Sequence, residues 1–177
     1  MKTFVLLILL SFIAPVAYGQ SLQTTTIKLY FPNRKRDKSD CVVKVFPVTR
    51  RIPKTDSVAK AVLEQLFAGP TKRERAQGFY SDFSEKSRSL LISINLRNEA
   101  AYVNLRNLPA APNLGNFTTS CGGSNFFGQV ENTLKQFPLI KKAFFAFEGD
   151  PASFYDWIQI GECPVELKNC DASNFIK

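Results

Sequence analysis

The stretch Val58–Ser81 (VAKAVLEQLFAGPTKRERAQGFYS) constrains the fold more than any other part of the chain, because it fixes where a helix begins, where it stops and how the chain restarts. Val58, Val62 and Leu66 form one row at i,i+4 spacing, and Ala59, Leu63 and Phe67 form the next. Together they make the wide apolar stripe of a helix with one buried side, leaving Lys60 and Glu64 on the outer side. Thr55 or Asp56 is placed to cap a helix that starts near Ser57. Gly69 stands where the chain needs a left-handed residue to leave the helix, and Pro70 forbids its continuation. Thr71-Lys72-Arg73-Glu74 then reads as a capping box for a short second helix, with Gly78 ending it. On this reading Glu74 serves the backbone and is not an acid for a substrate.

Strand patterns flank this stretch. Ile27, Leu29 and Phe31 alternate with Lys28 and Tyr30, the period of a half-buried strand. Cys41–Val48 is β-rich, with Pro47 confining it to an edge or a bend. Leu90, Ile92, Ile94 and Leu96 alternate with Ser93 and Asn95, Arg97-Asn98-Glu99 supplies a turn, and Ala100–Leu105 returns as the second arm of a hairpin. Pro109 and Pro112 mark irregular backbone. A second helix is expected from Ser120 or Ser124, with Phe126, Val130, Leu134 and Phe137 on its apolar side and Pro138 as its stop. Ala143–Phe147 (AFFAF) reads as a buried strand whose phenylalanines are core. Tyr155, Trp157, Ile158 and Ile160 are expected to form a last strand. The order β, β, α, hairpin, α, β predicts an α+β domain with two helices packed on one face of a mostly antiparallel sheet.

The chain begins with a leader pattern. Lys2 precedes the apolar run Phe4–Ile13, Pro15 breaks it, and Ala17-Tyr18-Gly19 places small residues before a cut at Gln20. The apolar run is shorter than the about 20 residues a membrane span requires. Residues 1–19 are therefore expected to be a signal peptide, which makes the remainder secreted or periplasmic. The cysteines Cys41, Cys121, Cys163 and Cys170 suit that setting, since an even count in an exported chain points to two disulfides. Three connectivities are open; the one expected is Cys163–Cys170 as a short loop and Cys41–Cys121 as a long staple. Their spacing does not match a zinc site, which uses close pairs.

Composition narrows the chemistry. Among the 177 residues there is no histidine, so the commonest general base near neutral pH and the commonest metal ligand are both missing. Ser or Cys nucleophiles lack their usual base, and Glu64 and Glu131 fit the outer sides of helices. No catalytic, cofactor-binding or metal-binding residue is assigned. The formal net charge is +8, which bears on attraction to anionic surfaces and not on fold. Arg34, Lys35 and Arg36, with Arg50 and Arg51, are the candidate contacts for an anionic partner such as an acidic glycan or a membrane surface. Nucleic acid is not expected, since no aromatic-and-basic RNA motif is present.

Leu63-Glu64-Gln65-Leu66, Gly69-Pro70-Thr71, Glu74, Gly78-Phe79 and Ser81 resemble the L-x-x-L-x-x-G-P-T-x-x-E-x-x-x-G-(F/Y)-x-S core of the GerMN domain. Gln129, Thr133-Leu134, Gln136-Phe137-Pro138 and Ile140 resemble a second segment of that family, Q-x-x-x-T-L-x-Q-F-P-x-(V/I). The resemblance spans roughly Ile27–Gly149 and sets residues 20–150 as the GerMN-like domain, with 151–177 as a C-terminal extension carrying a disulfide loop. It implies a fold similar to the small ring-building modules of secretion and sporulation envelope complexes, with no catalytic residue and no cofactor. The implied role is protein–protein contact in a bacterial cell-envelope assembly, with an envelope protein as partner; the alternative is a module binding cell wall or anionic glycan.

Overall fold

The computed structural model describes residues 23–39, 41, 44–107 and 114–176. The leader pattern, Pro109 and Pro112 lie outside them. Among the described residues, five strands and four α-helices follow in the order β1 (Thr24–Pro32), β2 (Val45–Pro53), α1 (Val58–Phe67), α2 (Lys72–Ala76), β3 (Leu91–Arg97), β4 (Ala100–Leu105), α3 (Gly122–Leu134), β5 (Lys142–Phe147) and α4 (Pro151–Trp157). The class is α+β. The strands divide between an antiparallel ribbon, β1-β2, and a three-stranded sheet of order β3-β4-β5 in which only the β4-β5 pair is parallel.

Helices α1 and α3 pack against each other and against both sheets. The apolar stripe of α1 buries Val62, Leu63, Leu66 and Phe67, and Phe126, Val130, Leu134 and Thr133 do so on α3. Phe126 is the hub of an aromatic core, with its ring centroid 5.3 Å from Phe145, 5.4 Å from Phe117 and 5.5 Å from Phe154. Tilted and edge-to-face pairs of this kind contribute about 0.5–1.5 kcal/mol each beyond area burial. Phe144, Phe145 and Phe147 are all buried, as the AFFAF pattern predicts.

The strand β4 is buried along its whole length, because both faces of the three-stranded sheet are covered. On one face Val103 lies in register with Ile94 and Phe145, which meets Phe126 of α3. On the other, Tyr102 packs edge-to-face on Phe175 at 5.4 Å, and the Asn95 side chain donates to the Asn174 carbonyl at 2.9 Å. The C-terminal segment thus supplies the second cover, with Leu167 and Phe175 in the core.

Both expected disulfides are present. Cys41–Cys121 ties the β1–β2 loop to the start of α3 across 80 residues, and Cys163–Cys170 closes the short loop in the tail. A staple of the first kind is typically worth about 2–4 kcal/mol.

Several local expectations are corrected. The second strand runs from Val45 to Pro53, not from Cys41, so Arg50 and Arg51 are strand residues. Neither Thr55 nor Asp56 caps α1; its N-cap is Ser57 without a side-chain bond, and the Thr55 hydroxyl accepts from the Ser57 N–H one step earlier. Helix α3 starts at Gly122, not at Ser120 or Ser124, and the Gly122 N–H is taken by Thr119. Leu96 is 54% exposed instead of buried, because β3 is an outer strand with an irregular register between Leu91 and Ser93. The segment expected as a last strand is helix α4. Asp150 accepts from the Ala152 N–H, and Pro151 stands at the first turn, where its missing N–H costs nothing.

Candidate functional site

The two sequence motifs meet in space, and their polar residues are bound to one another or to the backbone. Gly69 leaves α1 at φ +71°, and a Cβ there would lie 2.2 Å from the Phe83 carbonyl oxygen. Pro70 follows, and Thr71 opens α2 with a complete capping box. The Thr71 hydroxyl accepts from the Glu74 N–H at 3.2 Å, and Glu74 Oε2 accepts from the Thr71 N–H at 2.7 Å. Gly78 leaves α2 at φ +97°, its Cα facing Lys35 and the Asn33 side chain so closely that a Cβ would clash with both.

Glu74 does more than cap. Its oxygens also receive Arg50, Nε to Oε1 at 2.9 Å and Nη2 to Oε2 at 2.6 Å. Arg50 Nη1 donates to the Gln65 carbonyl and side chain, and Nη2 also donates to the Gly69 carbonyl at 2.8 Å. All five N–H donors of the guanidinium are therefore committed. Arg50 is thus not a contact for an anionic partner, and that expectation is corrected. It shares the inward face of β2 with Val48 and Ile52, and its side chain is 12% exposed. Burial alone raises the Glu74 carboxyl, but the hydrogen bonds from Arg50 and Thr71 outweigh it and hold the group below its ordinary value. A recess of 560 Å³ opens beside this cluster, lined by Arg50, Gly69, Pro70 and Arg88 among others. Two of its other cations are engaged, Arg88 with Glu85 and Arg75 with the Pro70 carbonyl, while Lys86 is exposed at its rim.

The second motif closes a strand edge. Thr133 Oγ1 accepts from the Tyr30 N–H at 3.0 Å, and Gln136 bonds Lys28 twice, accepting from its N–H at 3.0 Å and donating to its carbonyl at 2.8 Å. These side chains stand where a neighbouring strand would pair with β1. Gln129 joins the motifs, accepting from the Ser81 hydroxyl at 2.6 Å, while Ser81 accepts from the Phe83 N–H. Leu63, Leu66 and Leu134 are core, Phe137 is half-buried against it, and Pro138 is exposed beyond the helix end. Gln129 and Gln136 were legible only as motif letters; Arg50 was legible from the period-two run Val48-x-Arg50-x-Ile52, which marks it as inward-facing.

The remaining basic candidates separate. Arg34, Lys35 and Arg36 sit together on the β1–β2 loop. Arg51 lies opposite Thr26, toward the far end of the ribbon, so the five do not form one patch. Arg34 stacks over Tyr80 at 4.7 Å, and Arg36 lies 5.4 Å from the Phe46 ring and 5.6 Å from that of Phe79. Among the described residues, no group of three or more Cys, Asp or Glu side chains is placed to hold a metal ion, and no helix is long and apolar enough to cross a membrane.

The fold is similar to that of the tandem GerMN domains of the sporulation protein GerM from Bacillus subtilis, with a TM-score of 0.55 at 18% identity over 77% of this chain. The chain spans 43% of that tandem structure. A crystal structure of a putative lipoprotein from Clostridium perfringens is matched over 75% of this chain and 80% of its own length at 15% identity, with a TM-score of 0.38. No curated protein matches. A family model described as Germane, sporulation and spore germination, matches residues 28–153, which hold both motifs. The chain belongs to the Germane family of sporulation and spore germination domains.

Proposed function

We propose that this domain is exported and non-catalytic, and that it works through protein–protein contacts in a cell-envelope assembly by offering the outer edge of β3 to a partner strand. The observation that carries this reading is the state of the four outer strand edges. The edge of β1 is closed at Tyr30 by Thr133 of α3 and at Lys28 by Gln136 just beyond that helix. Tyr30, whose N–H points away from β2, lies opposite Pro47, so Pro47 presents its missing donor on the outer edge of β2, and Pro53 does so opposite Thr24. Prolines there blunt the edge. On β5 the Phe145 N–H reaches the Tyr155 hydroxyl of α4 at 3.4 Å, and the Phe147 N–H bonds the Asp150 carbonyl.

That leaves β3. Its two-residue turn at Asn98-Glu99, both at positive φ, makes Arg97 and Ala100 the closing hydrogen-bonded pair. By alternation, Ile94 and Leu96 then direct their N–H and C=O groups outward. Beside this edge, Ile92, Ile94 and Leu96 line a 430 Å³ recess with Val58 and Ala59 of α1, room for the side chains of an added strand. The two disulfides support an oxidising compartment.

A photoreactive residue at position 96, used in intact cells, tests the reading. Discrete protein adducts from position 96, absent from a probe at Arg51, are expected. Leu96→Lys, at an exposed position, should weaken partner capture by about tenfold or more while leaving stability within ~0.5 kcal/mol. Recovery of wall polymer alone, without protein, would favour the glycan-binding alternative instead.

A further inference from the structure

The turn at Asn33–Asp37 is built, not merely solvated. Asn33 is 1% exposed, and its backbone carbonyl accepts from the N–H groups of Arg36 at 3.1 Å and Asp37 at 2.9 Å. Its side chain accepts from the Lys35 N–H at 2.9 Å and donates to the Gln77 carbonyl at 3.2 Å. The Arg34 N–H bonds the Gly78 carbonyl at 3.0 Å, which anchors the turn to the end of α2. The family-motif glycine at 78 thus has a second consequence: it lets this basic turn sit flush against the domain.

The three charges lie at the surface. Arg34, Lys35 and Arg36 are all exposed; the Arg34 and Arg36 guanidinium groups lie over the rings of Tyr80, Phe46 and Phe79, and the Lys35 ammonium donates to the Ala76 carbonyl at 3.0 Å. Neither guanidinium has a carboxylate ion-pair partner among the described residues. The neighbouring acid, Asp37, is committed to the loop: the Ser39 hydroxyl and the Ser39 and Lys44 N–H groups bind its two oxygens and hold its carboxyl down to about 2. Lys38 and Lys44 add two further exposed cations on the same loop.

Charge decides what such a cluster recognises. Three consecutive exposed cations on a turn closed by its own backbone put several positive charges at one place on the surface. A plane of anionic headgroups requires no concavity and attracts each nearby Lys or Arg additively.

We propose that the Arg34–Lys35–Arg36 turn docks the domain on a membrane surface rich in anionic phospholipid. This contact is independent of strand pairing at β3, which lies in the other sheet, so the two can fail separately. Binding requires no rearrangement of the turn, because its backbone is already closed on Asn33 and Gly78.

The test measures partition of the full chain onto vesicles of phosphatidylcholine with and without 40% phosphatidylglycerol, at low and high salt. The ratio between the two vesicle types is the readout, since any apolar contribution from the N-terminal run cancels in it. The ratio should be large at low salt and collapse at high salt. Arg34→Gln/Lys35→Gln/Arg36→Gln should lower it on the order of 100-fold, about fivefold per cation. Arg34→Gln alone, which leaves the turn backbone intact, should lower it about fivefold. Lys54→Gln/Lys86→Gln/Lys168→Gln removes the same charge elsewhere and should lower it far less. Equal losses in the two triple variants would overturn the proposal in favour of diffuse charge. So would retention of the protein on soluble poly(glycerol phosphate) with no preference for phosphatidylglycerol vesicles.

Discussion

At Glu74 one carboxylate receives Arg50 through two nitrogens and the Thr71 backbone N–H, all within a side chain that is 10% exposed. Such a group binds its proton less readily in the folded chain than in the unfolded one, so the folded value lies below the ordinary 4.5. The sign of the linkage follows: the stabilisation is complete above pH 4.5 and is lost as pH falls through the depressed folded value. Glu74→Gln keeps an acceptor for Thr71 but strands the Arg50 charge in a largely buried place. The cost should be about 3 kcal/mol, at the low end for a broken buried pair because Arg50 keeps the Gln65 and Gly69 carbonyls. Urea unfolding from pH 7 to pH 2 checks this. The gap between the two proteins should be constant above pH 4.5 and narrow below it; a gap that stays constant to pH 2 would mean that the carboxylate charge is not its source.

At the scale of elements, helix α3 completes a sheet edge with side chains. The Tyr30 N–H faces Thr133, whereas the Phe31 N–H faces β2, opposite Phe46. Thr133→Val keeps the shape of the side chain and removes the acceptor, leaving a part-buried donor unpaired at a cost of about 1–3 kcal/mol. Amide exchange should quicken at Tyr30 well beyond the change at Phe31. Equal acceleration at both would indicate global destabilisation and no local opening. The elements differ in how far they were legible beforehand. Helix α1, the stop at Gly69-Pro70 and the box at Thr71–Glu74 were read from local residues, because each depends on contacts three or four positions apart. Helix α4 was missed because seven residues do not separate a period of 2 from one of 3.6. Phe154, Tyr155 and Ile158 fit a helix face as well as Tyr155, Trp157 and Ile158 suggest a strand, and the deciding signal was the Asp150-Pro151 start. The closure of β1 by Gln136 joins residues 108 positions apart, which no local pattern encodes.

At the scale of the molecule, the tail belongs to the core although the family match ends at residue 153. Phe175 is 1% exposed and Leu167 2%, and both lie in the same hydrophobic cluster as α1, α3 and the strands. The outer face of the three-stranded sheet, with Tyr102 and Phe144, is covered only when this segment is in place, and Lys142–Glu166 and Asn95–Asn174 hold it there. Residues 151–176 should therefore unfold with the rest as one cooperative unit. Phe175→Ala removes an edge-to-face contact and a fully buried ring, which should cost about 3–5 kcal/mol and lower the Tm by roughly 10 °C for a chain of this size. The single tryptophan, Trp157 on α4, packs on Phe126 and Phe147 at the other face of the sheet and so reports on the rest of the core. Its fluorescence and the far-UV circular dichroism should fall together in a single transition in both proteins. A tail that is cut by protease in Phe175→Ala while the Tm stays unchanged would instead make it an appendage, and the uncovered Tyr102 face would then be a second surface open to partners.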